Sequence, residues 1–160
     1  YYYFGSKEQL YLEVLVKLYG DIRGTESRLD LASLPPVLAI RRLVEFTFDH
    51  HDRNVDFVRI VSIENIHYGE YVKQSPVIRQ MSNVVLDTLG KTLRRGEEEG
   101  VFRPGIDVLD VHLLISSFCF YRVSNRHTFG EIFQIDLPDE QVKQRHKAMI
   151  CEAVLRYIQG

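Results

Sequence analysis

Between Val108 and Tyr121 the sequence leaves a helix almost no polar side. Val108, Leu109, Val111, Leu113, Leu114, Ile115, Phe118, Cys119, Phe120 and Tyr121 fall in nearly every direction around one axis. A helix that is apolar all round must be buried on all sides. The last helical stretch carries two stripes, Val142, Met149, Ala153 and Tyr157 on one and Ile150, Val154 and Ile158 on another. A body of 160 residues has little room at its centre for two such helices. The pattern therefore predicts that a second copy of the chain covers their outer faces.

Helical spacing with Pro and Gly punctuation organises the rest. Leu10, Val14, Leu18 and Ile22 predict a helix from Lys7 to about Leu29, although Gly20 and Gly24 lie inside it. A second is expected from Val37 to about His51, ended by Asp52-Arg53-Asn54, and a third from Val55 to Tyr68, stopped by Gly69. Ser75-Pro76 is a cap with proline at the first helical position, and that helix should run to Glu99 and stop at Gly100. Asp107 caps the apolar helix, which continues to Ser124. The polar stretch Asn125 to Asp136 is read as one turn, and Leu137-Pro138-Asp139-Glu140 opens a last helix to Ile158. No run sustains the period-two alternation of strands, so the fold class is all-α.

Composition narrows the function classes. Hydrophobic residues make up 45% and charged residues 26%, the balance of a single globular domain. The formal charge of −2 lacks the basic footprint of a nucleic-acid binder, so these residues alone should not grip DNA well. Two cysteines, Cys119 and Cys151, sit in apolar patterns without zinc-ligand spacing, which fits a reducing, cytoplasmic setting. No apolar run reaches the length of a membrane span, so no membrane partner is expected.

The first residues add a sharper signal. Tyr1-Tyr2-Tyr3-Phe4 is an apolar group that a free terminus would not normally expose. Gly5 then reads as a turn, and Ser6-Lys7-Glu8-Gln9 as a capping box opening the next helix. An ordinary helix corner in a bundle would explain this much. The string Tyr1-Tyr2-Tyr3-Phe4-Gly5-Ser6-Lys7-Glu8-Gln9-Leu10 also resembles the end of the DNA-binding head of tetracycline-repressor (TetR) family regulators. The resemblance implies that residues 1–7 end a helix-turn-helix head, with Tyr1, Tyr3 and Lys7 touching DNA phosphates, and that residues 8–160 form a ligand-binding and dimerisation domain. It also implies a four-helix dimer bundle made by the last two long helices. Val111, Ile115, Val142, Met149, Ala153 and Tyr157 are the interface candidates.

The chemistry-bearing clusters are sparse. Asp49-His50-His51-Asp52 is the densest, but consecutive helical residues point about 100° apart and do not chelate as an i, i+4 pair would. It reads as a polar, frayed helix end. Glu64 and His67 share a helical face in a Glu-x-x-His spacing, and the second such motif that a di-iron bundle needs is missing. No nucleophile elbow or phosphate-cradling glycine loop occurs. Arg41-Arg42 and Arg94-Arg95 read as surface charge, and Cys119 as an inert core residue.

These readings converge on a helical cavity for a small effector, lined by Phe46, Phe118 and Tyr121, with Glu64, His67, Tyr68 and Arg122 as polar anchors. The expected protein is a TetR-like transcriptional regulator that acts as a repressor, with operator DNA (through the N-terminal head), a small-molecule effector and its own copy as partners. Neither a metal nor another cofactor is expected. Two alternatives stay open: a metal-dependent helical enzyme using Glu64, His67 and His50 or His51, and a helical adaptor that binds protein through its N-terminal aromatics.

Overall fold

A computed structural model describes residues 5–160. Seven α-helices and two short 3-10 turns account for the described residues, with no strand among them. They are α1 (Lys7–Ser27), α2 (Pro36–Arg53), α3 (Val55–Ile66), α4 (Pro76–Glu98), α5 (Val108–Ser124), α6 (Arg126–Phe133) and α7 (Glu140–Gln159). Four of the starts are fixed by side-chain caps. Ser6 Oγ accepts from the Gln9 amide, Ser75 Oγ from Ile78, the Asp107 carboxylate from Leu109 and Asp110, and the Asp139 carboxylate from Val142.

The main core lies where α2, α4, α5 and α7 meet. Phe48, Ile40, Leu89, Ile115, Val154 and Ile158 are among its fully buried members. Gly96 on α4 is required by this packing. A Cβ there would stand 1.9 Å from the Phe102 ring, which closes the core after the helix ends. A second, smaller cluster joins Ile22 of α1, Phe57 and Val58 of α3, and Val123 of α5. It ties α1 to the centre of the body.

Several expectations need correction. The α5 residues Val111 and Ile115 point into the protomer's own core rather than outward. The exposed side of α5 carries Leu109, Leu113 and Tyr121, spaced by multiples of four residues. On α7, Met149, Ala153 and Tyr157 are exposed and Val142 is half-buried, while Ile150, Val154 and Ile158 face the core. The polar stretch after Asn125 forms a full helix, α6, in which Phe129 packs edge-on against Tyr121 and at a tilt against Phe133 one turn later. His51 is buried rather than frayed into solvent, since α2 runs on to Arg53 and the rings of Phe57 and Phe120 pack around the imidazole. Arg95 is a brace, donating to the carbonyls of Leu34 and Leu31 at 2.9 and 3.0 Å.

Candidate functional site

Two adjoining cavities flank the C-terminal half of α1. The larger, about 400 Å³, lies among α1, α2 and α4, with Gly20, Gly24, Leu43, Met81 and Val84 in its wall. The smaller, about 180 Å³, is walled by Tyr19, Thr47, Phe57, His112 and Phe120 from α1, α2, α3 and α5. Arg23, Glu26, Leu43 and Val85 line both. The charged pair on α1 therefore stands at the partition between the two spaces.

That pair is only half satisfied. Arg23 Nη1 donates to Glu26 Oε1 at 2.7 Å across one turn of the helix. Arg23 Nε and Glu26 Oε2 are buried and have no hydrogen-bond partner among the described residues. A buried polar atom left unpaired costs about 1–3 kcal/mol, so such atoms are rare unless something else completes them. Burial raises the Glu26 carboxyl above its ordinary range, and the neighbouring Arg23 pulls it back only in part.

Burial disfavours charge on the surrounding histidines. Burial, with the nearby His50, Arg23 and His112, pushes His51 down to about 3. Burial and then Arg23 lower His112 in the same direction. The Nδ1 atoms of His50 and His51 stand 3.0 Å apart, so one carries a proton and the other accepts it. The phenol of Tyr19 is raised, chiefly by burial. The site thus offers neutral rings and hydroxyls around one ion pair.

The residues expected to line the effector cavity are scattered, and none of them lines these two spaces, whereas Ile115, expected at the dimer interface, and His51 stand in the wall of the smaller one. Glu64 is buried, but its carboxylate accepts from the Tyr11 hydroxyl at 3.1 Å and from the amides of Tyr71 and Val72 at 2.8 Å each. His67 and Tyr68 are exposed beyond the end of α3, Tyr68 in a left-handed turn at φ 60°. Phe46 borders a separate pocket of about 300 Å³ with His50 and Arg53. Phe118 packs beside the main core with its ring edge-on to His146, and Tyr121 is half-exposed on Phe129. Arg122 is a buried brace: Nε donates to His146 Nδ1 at 3.1 Å and Nη2 to the Leu137 carbonyl at 2.9 Å, with the guanidinium 4.4 Å from the Phe48 ring centre. Lys7 is exposed at the first position of α1, while Tyr1 and Tyr3 lie outside the described residues.

No three metal-binding side chains converge among the described residues. Glu64 has its oxygens engaged and His67 faces solvent, so the Glu-x-x-His motif does not assemble a centre here. Arg23 and Glu26 were missed because they were read as part of a helix and not against its face. Leu15, Ile22 and Glu26 share the buried side of α1, so Glu26 interrupts an apolar stripe. A carboxylate in such a stripe, three residues after an arginine, is the signal that would have found the pair.

Comparison with known proteins fits this architecture. Residues 36–154 match the family described as tetracyclin repressor-like, C-terminal domain. Over 156 residues the chain is 36% identical to the HTH-type transcriptional repressor NicS of Pseudomonas putida, a match covering 98% of this chain and 74% of that protein. The resemblance carried by the first ten residues thus extends through the helical body, and the chain belongs to the TetR-like family of transcriptional regulators.

Proposed function

We propose that this chain represses transcription as a homodimer and that a small effector, held in the cavities beside α1, releases it from operator DNA. The observation that carries this reading is the half-satisfied Arg23–Glu26 pair, placed where both cavities meet on α1. The same helix begins at Lys7, directly after the segment that resembles the end of a DNA-binding head. A ligand between α1 and its neighbours therefore acts on the helix nearest the head. It shifts operator affinity by as much as it prefers one position of α1 over another. In this reading residues 1–7 close the head, with Tyr1, Tyr3 and Lys7 on phosphates, and residues 8–160 bind effector and partner.

Gly24 provides the test. It borders the larger cavity, and a Cβ added there meets nothing within 4 Å. Gly24→Leu adds a side chain that starts in this open space and favours the helix by roughly 1 kcal/mol. The complete protein carrying this change should bind operator DNA as before, yet fail to release it on titration with a small-molecule panel that releases the wild type. Release at wild-type concentrations would overturn the cavity assignment.

The uncovered faces of α5 and α7 support the dimer. Leu113, 66% exposed, and Met149, 47% exposed, are large apolar side chains on the two helices. Native mass spectrometry should show two copies for the wild type and one for the Leu113→Glu, Met149→Glu double variant. A wild type that stays monomeric would sink the dimer reading.

A further inference from the structure

We propose that the Arg23–Glu26 pair selects an uncharged aromatic ligand that brings both a hydrogen-bond acceptor and a donor, of which an aromatic carboxamide is the simplest form. The proposal rests on the effector reading above and names the chemistry of what the cavities take. Its first support is the pair's unmade hydrogen bonds. Arg23 Nε–H needs an acceptor and Glu26 Oε2 needs a donor, and both atoms are closed off from water. Both residues line the cavities on either side of them. A carboxylate would supply acceptors only and leave Oε2 unpaired beside a second negative charge. An ammonium would supply donors only and leave Nε unpaired. An amide supplies one of each.

The second support is charge. Arg23, Glu26 and Asp30 are the basic and acidic side chains in the two walls, one basic and two acidic. Arg23 is already matched by Glu26 at 2.7 Å, so no uncompensated positive charge awaits an anion. The histidines work against one, because burial lowers both His51, to about 3, and His112. Shape is the third. The rings of Tyr19, Phe57 and Phe120, with those of His51 and His112, wall the smaller space, and its 180 Å³ adjoins 400 Å³ more. Flat ligands of one or two rings fit such walls.

The matched pair 2-naphthamide and 2-naphthoate separates these possibilities, since the two share shape and differ in charge and donor. Calorimetric titration of the full chain should show the amide binding roughly tenfold or more tighter. Glu26→Gln removes the competing charge and leaves Arg23 unmatched, so 2-naphthoate should gain about tenfold and most of the preference for the amide should be lost. Arg23→Gln should weaken 2-naphthamide by a similar factor without admitting 2-naphthoate, which provides a second reading if the Glu26 variant melts early. A wild-type preference for the carboxylate, an unchanged preference in Glu26→Gln, or no binding of either probe would each overturn the proposal. Carboxylate binding that Gly24→Leu abolishes would overturn the ligand class while leaving the effector cavity standing.

Discussion

Two carboxylates are buried among the described residues, and they are built to opposite ends. Glu64 receives three hydrogen bonds, one from the Tyr11 hydroxyl on α1 and two from the amides of Tyr71 and Val72 in the loop before α4. Glu26 receives one, and its second oxygen has no hydrogen-bond partner among the described residues. The first arrangement stitches the start of α1 to a loop and has no unmet hydrogen bond left for a ligand. The second leaves a charged group incomplete at the meeting of two cavities. Burial of an ionisable side chain therefore does not distinguish a brace from a binding site, whereas the count of its partners does.

The comparison predicts unequal losses. Glu64→Ala removes the acceptor for three donors at once, two of them backbone amides that cannot turn away. Urea unfolding should show a loss of about 3 kcal/mol or more. A loss below about 1 kcal/mol would mean that water replaces the carboxylate, and the contrast with Glu26 would fail.

Acid should act next, and with opposite sign at different groups. His51 is neutral in the fold at a value near 3, against an ordinary 6.5 in the unfolded chain. Its contribution is complete above the unfolded value and fades as the pH falls towards 3. Between about pH 7 and pH 5 this amounts to about 2 kcal/mol, and His112, lowered in the same direction, adds to it. Glu26 runs the other way, because burial raises its carboxyl and protonation relieves that penalty. Melting temperature should fall across this range in the wild type and fall less in His51→Phe. An equal fall in both would remove His51 from the account.

Tyr11→Phe tests the brace more gently. The Tyr11 phenol is raised to about 12, by burial first and then by the carboxylate it serves. Removing the hydroxyl deletes one of three hydrogen bonds to Glu64, with an expected loss of about 1–2 kcal/mol in the same urea assay. If the loss equals that of Glu64→Ala, the two backbone amides contribute nothing.

The sequence made the helices legible and the site only in part, for physical reasons. Caps and breakers act over a few residues, so Ser6, Ser75, Asp107 and Asp139 mark their helix starts locally. The apolar wrapping of α5 was visible too, but its orientation was not. Periodicity shows that Val111, Ile115, Leu109 and Leu113 lie on different sides, and only the packing of α2 and α7 shows which side is the core. Glu64 and His67 drew notice because they match a spacing, yet what decides their role is what stands opposite. For Glu64 that is a residue 53 positions away. For Arg122 it is the Leu137 carbonyl and His146, neither of which a local pattern reveals.

The smallest effect on stability should come from the pair proposed to meet the effector. Replacing Arg23 and Glu26 together by Met keeps their bulk, removes both charges and ends the unmet hydrogen bonding of Nε and Oε2. Exchanges of buried ion pairs for apolar residues of similar volume are often neutral or stabilising. The double variant should therefore unfold within about 1 kcal/mol of the wild type, on the stabilising side, in contrast to Glu64→Ala. The same variant should bind operator DNA and no longer release it with an effector that acts on the wild type. A double variant destabilised as much as Glu64→Ala would show that the pair holds the fold together. Glu26 would then be a second brace, and the incomplete hydrogen bonding at the cavities would carry no argument for a ligand.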